Sequence, residues 1–170
     1  MTMAAAAGGQ FLYFDNDYRT FFGKDNPQLQ AFEEIQKTYT KIDNVLFAFE
    51  PVEGGANSVE VLQAVEDLTE MAWQLPFSIR VDSLSNYQHT EVEGDDLLVQ
   101  DLYSLAKEMS DAELARVDSV STSEPSLVGK LHDKAHRSTS VNVTIQLPGE
   151  AADEVAIVAQ AARKMAAEIE

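Results

Sequence analysis

The chain has 170 residues, 45% hydrophobic and 24% charged, and its 12 Lys+Arg against 29 Asp+Glu give a formal net charge of −17. That size and composition support one ordinary domain or two small lobes with a sizeable core. The charge excludes nucleic-acid backbones and anionic lipid surfaces as ligands, because both need clustered basic residues, and the lack of cysteine excludes disulfides, zinc–thiolate centres and thiol catalysis.

Residues 1–25 mix small residues with aromatics, Asp and Gly ("FLYFDNDYRTFFGKD") and fit no single period, so they read as an irregular lead-in segment. Asn26 as N-cap and Pro27 at the first helical position predict a helix over 27–40, with Leu29, Phe32, Ile35 and Tyr39 on one face. The apolar run "DNVLFAFEP" (43–51), closed by Pro51 and Gly54-Gly55, predicts a buried strand. Asn57 followed by Glu60 gives a capping-box pattern, and the helix after it carries Val61, Val65, Leu68, Ala72 and Leu75 until Pro76 ends it. "FSIRVDSL" alternates Phe77, Ile79 and Val81 with Ser78, Arg80 and Asp82, which is a strand with one wet face.

Residues 26–84 therefore hold a helix and a strand–helix–strand unit. Residues 85–137 are polar and less regular, and read as a partly helical insertion. Within it Ser110 and Glu113 form a second capping box opening a short helix at 111–118, and "STSEPSLVGKL" reads as a turn with a short helical piece. Residues 138–170 hold the clearest strand, "STSVNVTIQL" (138–147), and a long helix over about 150–169. The order strand–helix–strand, insertion, strand–helix predicts an α+β fold. It is a ferredoxin-like βαββαβ unit lacking its last strand.

The candidate chemistry is sparse. "DNDYRTFFGKDN" places Arg19, Thr20 and Asn26 where a calcium loop needs an oxygen ligand, Gly and Glu. "HTEVEGDD" offers His89, Glu91, Glu93, Asp95 and Asp96, but no helical period sets His89 and Glu93 on one face, so it reads as a solvated acidic loop turned by Gly94. His132 and His136 are four apart without a third ligand in pattern. No G-x-S-x-G, G-x-G-x-x-G or Walker sequence is present. Catalytic residues, metal ligands and cofactors are accordingly expected to be none.

Two stretches, "DYRTFFGKDNPQLQAFEEIQKTYTKIDNVLFAF" and "LPFSIRVDSLSNYQHTEVEGDDLLVQDL", resemble the first periplasmic loop of resistance–nodulation–division (RND) exporters, in the MmpL-like "predicted exporter" branch. The runs Asp17–Phe22 and Val81–Gln88 carry most of the likeness, which extends from about Phe11 to the C-terminus. The resemblance implies a periplasmic porter domain of a proton-driven bacterial inner-membrane protein, with "MAAAAGGQ" as the tail of the first membrane helix. Its implied partners are the membrane helices and second periplasmic domain of the same exporter. Its implied cargo is hydrophobic or amphiphilic, a small molecule or a lipid.

On that reading Phe77, Ser83, Asn86, Tyr87 and Gln88, around a strand end, are candidate cargo-path or hinge residues. Two alternatives stand beside it. One is a stand-alone ferredoxin-like interaction module that self-associates through an open edge at strand 44–50. The other is a divalent-cation enzyme using residues 89–96.

Overall fold

The computed structural model describes residues 21–23, 25–38, 42–94, 96–151 and 153–169. Most of the lead-in segment and Asp95 of the acidic cluster lie outside these described residues. The chain divides into two compact units, Met1–Lys41 and Ile42–Glu170. In the first, α1 (Pro27–Thr38) begins as its sequence predicts: Asn26 Oδ1 accepts from the amides of Gln28 (2.9 Å) and Leu29 (3.3 Å).

The second unit is α+β. Its elements are β1 (Asp43–Phe49), α2 (Val59–Ala72), β2 (Ser78–Asp82), β3 (Gln88–Glu93), β4 (Asp96–Asp101), a 3₁₀ turn (Ala106–Glu108), α3 (Asp111–Ser123), β5 (Thr139–Ile145) and α4 (Glu154–Ile169). Strands β1, β5 and β2 form one sheet in that order. Both outer strands run antiparallel to β5, from Asp43↔Ile145 to Phe49↔Thr139 on one side and from Ser78↔Ile145 to Asp82↔Asn142 on the other. No helix among the described residues is long and apolar enough to cross a membrane.

One hydrophobic cluster lies between this sheet and the helices α2 and α4. It joins Phe47, Val81, Val141, Val143 and Ile145 to Val65, Leu68, Val158 and Ala162. The alternation that predicts β5 is what buries Val141, Val143 and Ile145 together on one face. A second cluster gathers Leu62, Leu84, Leu102, Tyr103, Val117 and Leu127 around the insertion. Leu62 and Val65 sit almost one turn apart on α2, so that helix carries both clusters. Each fully buried Leu or Val contributes about 1.5–3 kcal/mol, so α2 is the most heavily anchored helix of the unit.

Five expectations need correction. The strand at 43–51 is not buried on both faces: β1 has burial on one side only, with Phe47 8% exposed and Leu46 59% exposed. The N-cap of α2 is Ser58, whose Oγ accepts from Val61 N at 3.4 Å, and not Asn57. The alternation through 77–81 breaks at a bulge between Ser78 and Arg80, which turns Ile79 outward while Phe77 takes a left-handed backbone (φ 63°). The helix predicted at 111–118 continues to Ser123, and its capping box forms with both reciprocal hydrogen bonds. The acidic stretch is no loop: it is the β3–β4 hairpin, paired from Gln88↔Asp101 to Glu93↔Asp96.

Candidate functional site

Ser83, Asn86, Tyr87 and Gln88 lie together where β2 leads into the hairpin, whereas Phe77 sits at the far end of β2 against the first cluster. Ser83 is 1% exposed, and its Oγ is 2.9 Å from both Thr69 Oγ1 and Ser85 Oγ. Thr69 in turn donates to Val65 O at 2.5 Å. The Asn86 amide closes the turn: its Oδ1 accepts from Ser83 N (2.9 Å) and its Nδ2 donates to Val81 O (2.8 Å). This asparagine supplies locally what a further strand residue would have supplied, which ends β2 and turns the chain. Ser83 and Asn86 are thus committed to the turn. Tyr87 is half-buried against the second cluster, with Ser126 Oγ donating to its hydroxyl at 3.0 Å. Gln88 Nε2 donates to Asp101 Oδ1 across the hairpin root.

The hairpin presents two different faces. His89, Glu91 and Leu98 share one. There Arg116 of α3 donates to Glu91 Oε1 at 2.8 Å and to Leu102 O at 2.7 Å, which ties the hairpin to the helix. His89 Nε2 is 3.7 Å from the same Glu91 oxygen. Val92, Leu97 and Val99 share the other face and are exposed. Sequence reasoning missed this hairpin because its carboxylates obscure the alternation. The signal was Gly94 between Thr90 and Val92 on one side and the apolar run Leu97-Leu98-Val99 on the other.

Two grooves border the side of β1 turned away from β5. Among the described residues β1 pairs only with β5. A groove of ≈ 310 Å³ runs beside it, lined by Leu46, Phe49, Ala64, Leu68, Ala166 and Ile169. Leu46 and Ala48 also border a groove of ≈ 420 Å³ whose wall is the segment leading into β5, with Lys130, Arg137 and Ser140. An apolar trough and a polar trough therefore flank a strand edge that carries no further strand among the described residues. That arrangement suits an extended segment with alternating side chains.

The two histidines are brought together, but not as a three-ligand centre: among the described residues no three His, Asp or Glu side chains are grouped to hold a metal ion. His136 Nδ1 is 3.2 Å from Asp118 Oδ1, and the rings of His132 and His136 meet edge to face at 5.7 Å. Asn57, displaced from the capping role, donates from Nδ2 to Asp118 Oδ1 (2.8 Å) and Ser121 Oγ (3.0 Å). These contacts join residues some sixty positions apart, and no local pattern foretells them. A scan of family models, a search of curated proteins and a search of solved structures each return no match to this chain.

Proposed function

We propose that this chain is a substrate-handling porter domain of a proton-driven RND-type exporter, facing the periplasm and acting by binding rather than by turnover. Its plan is ferredoxin-like, with the β1 edge taking a further strand. The observation that carries the reading is the sheet order β1-β5-β2 with its apolar trough beside β1. In a ferredoxin-like sheet of order 4-1-3-2, the first three strands stand as 1-3-2 and the fourth lies against the first. The order β1-β5-β2 supports the reading by matching 1-3-2, and Ile169 at the end of α4 lines the trough where a fourth strand would enter.

The exporter assignment itself rests on the residue likeness at Asp17–Phe22 and Val81–Gln88. Tyr87, Gln88 and Phe77 are the path or hinge residues in this reading, since Ser83 and Asn86 are occupied within their turn. The cargo is hydrophobic or amphiphilic. The second reading, a stand-alone module that pairs through its edge, draws on the exposure of Leu46 and the absence of charge from Val45 to Phe49.

The reading frame separates the two. A frame that continues past Glu170 into a short strand and then about 20 apolar residues supports the exporter domain. A stop codon at that point, with no membrane span upstream, overturns it in favour of the module. For cargo, fluorescent amphiphiles should bind weakly and lose affinity in Phe77→Ala and Tyr87→Ala. Equal binding by all three proteins removes both residues from the path.

A further inference from the structure

The segment from Glu124 to Ser138, between α3 and β5, is a strap held by backbone hydrogen bonds at its turns. Gly129 N donates to His132 O (2.8 Å), Asp133 N to Ser138 O (2.9 Å), and Ser140 N, just inside β5, to Leu131 O (2.8 Å). His136 fastens the strap to two helices. Its carbonyl accepts from Ala56 N ahead of α2 (2.9 Å), and its Nδ1 meets Asp118 of α3. It does so with a left-handed backbone (φ 56°), a conformation that a non-glycine residue holds only when its surroundings enforce it.

His132 lies beneath this fastening. It is 2% exposed, and neither ring nitrogen has a hydrogen-bond partner among the described residues. The charged and titratable groups that act on it are His136 and Asp133 on the strap and Asp118 on α3, and Lys130 and Arg137 of the strap and Glu50 after β1 line the same groove. From β5 it meets Thr139, which carries no charge. Asp133 is turned to Arg137, at 3.1 Å. A neutral imidazole in this position already leaves one donor and one acceptor unmet. A protonated one would bury a charge with two unmet donors.

We propose that His132 is an acid-sensitive latch: the seated strap accepts only its neutral ring, and protonation releases residues 129–138 from α2 and α3, opening the polar groove beside β1. Burial, followed by the neighbouring His136, holds the His132 proton affinity below that of an ordinary histidine, and the opposing influence of Asp118 and Asp133 does not restore it. The sign follows. The released strap binds the proton more tightly than the seated one. The seated state is therefore fully favoured above the ordinary histidine value of about 6.5 and loses ground as pH falls through that value toward the lowered one.

Hydrogen exchange on the whole chain at about pH 7.5 and about pH 5, corrected for intrinsic rates, tests this. The amides of Gly129, Asp133 and Ser140 should lose protection at the lower pH, while Val141 and Val143 in β5 keep theirs. His132→Phe should keep the strap protected at both values, and His136→Gln should leave the acid response in place. Equal strap protection of the natural sequence at both values overturns the latch, as does an acid response that survives in His132→Phe. Should that variant not fold, imidazole NMR of the unaltered protein decides. Strap shifts that track the His132 titration support the latch, and strap shifts that occur while His132 stays neutral refute it.

Discussion

Leu46→Lys probes the open edge of β1. Leu46 is 59% exposed, so the change removes little burial and should alter stability by no more than about 0.5 kcal/mol. Phe47, its neighbour in the strand, is the wrong probe: it is 8% exposed in the core, and replacing it would cost about 3–5 kcal/mol before any charge is buried. The value of the edge can be worked from its length. Seven residues leave every second one facing away from β5, about six to eight N–H and C=O groups with no strand opposite them among the described residues. At about 0.5–1.5 kcal/mol net for each bond, a full partner strand gains about 3–12 kcal/mol. Bringing two free molecules together costs about 4–15 kcal/mol. Two copies should therefore pair only weakly, at high concentration, whereas a tethered strand at millimolar effective concentration should pair well. Sedimentation velocity across a concentration series should show weak self-association of the natural sequence, reduced by Leu46→Lys at an unchanged urea midpoint. A strand appended after α4 should abolish the association and raise that midpoint. Association that is indifferent to Leu46→Lys, or slow exchange in the monomer of those β1 amides that face away from β5, would refute the reasoning.

Glu154 gathers the amides of Gly149 (2.8 Å), Glu150 (2.7 Å) and Ala151 (2.9 Å), and the Ala151 bond in particular holds its carboxyl below the usual range. Its contribution is present above the ordinary carboxylate value and lost as pH falls through the lowered one. Glu154→Gln should thus lower Tm at neutral pH, with the difference closing in strong acid, as circular dichroism melts would record. Leu105 is 60% exposed with a left-handed backbone (φ 52°), so Leu105→Gly should relieve strain and raise stability by up to about 1 kcal/mol in urea titration. Millimolar calcium, magnesium or zinc should leave Tm unchanged. An ion at 100 times its Kd would add about 2.7 kcal/mol, and an upward shift abolished by Glu91→Gln or His136→Gln would overturn that expectation.

Periodicity made the sheet and its helices legible, because Val141, Val143 and Ile145 alternate in a strand whose burial is one-sided in the same way. Caps were legible where donor and acceptor sit within one turn, as at Asn26 and Ser110. At Asn57 the same residue chemistry misled, because its Nδ2 is held by Asp118 and Ser121 of α3 while its Oδ1 caps no amide among the described residues. The bulge at Ile79 was invisible for a related reason: an extra residue in a strand keeps its apolar character while reversing its face. Glu66 gave no local sign either, though its carboxylate caps Leu105 N (2.7 Å) and Ala106 N (3.1 Å) and so seats the insertion on α2. The concave edge beside β1 follows from strand order, which depends on where β5 inserts and not on the composition of β1.

That insertion has a consequence for how the molecule comes into being. β5 stands between β1 and β2 and pairs with both, yet it is synthesised after both. During translation the two outer strands leave the ribosome with α2 available to cover their apolar faces but with no strand to hold either backbone. The intervening hairpin and α3 can form from nearby residues while the sheet waits. Folding of the sheet is then governed by a late, long-range closure, the slow kind, and the nascent chain spends that interval with two unsatisfied strands side by side. A circular permutant that begins at β5 would offer each outer strand its partner as it emerges, and its sheet should resist protease earlier during synthesis than that of the natural order.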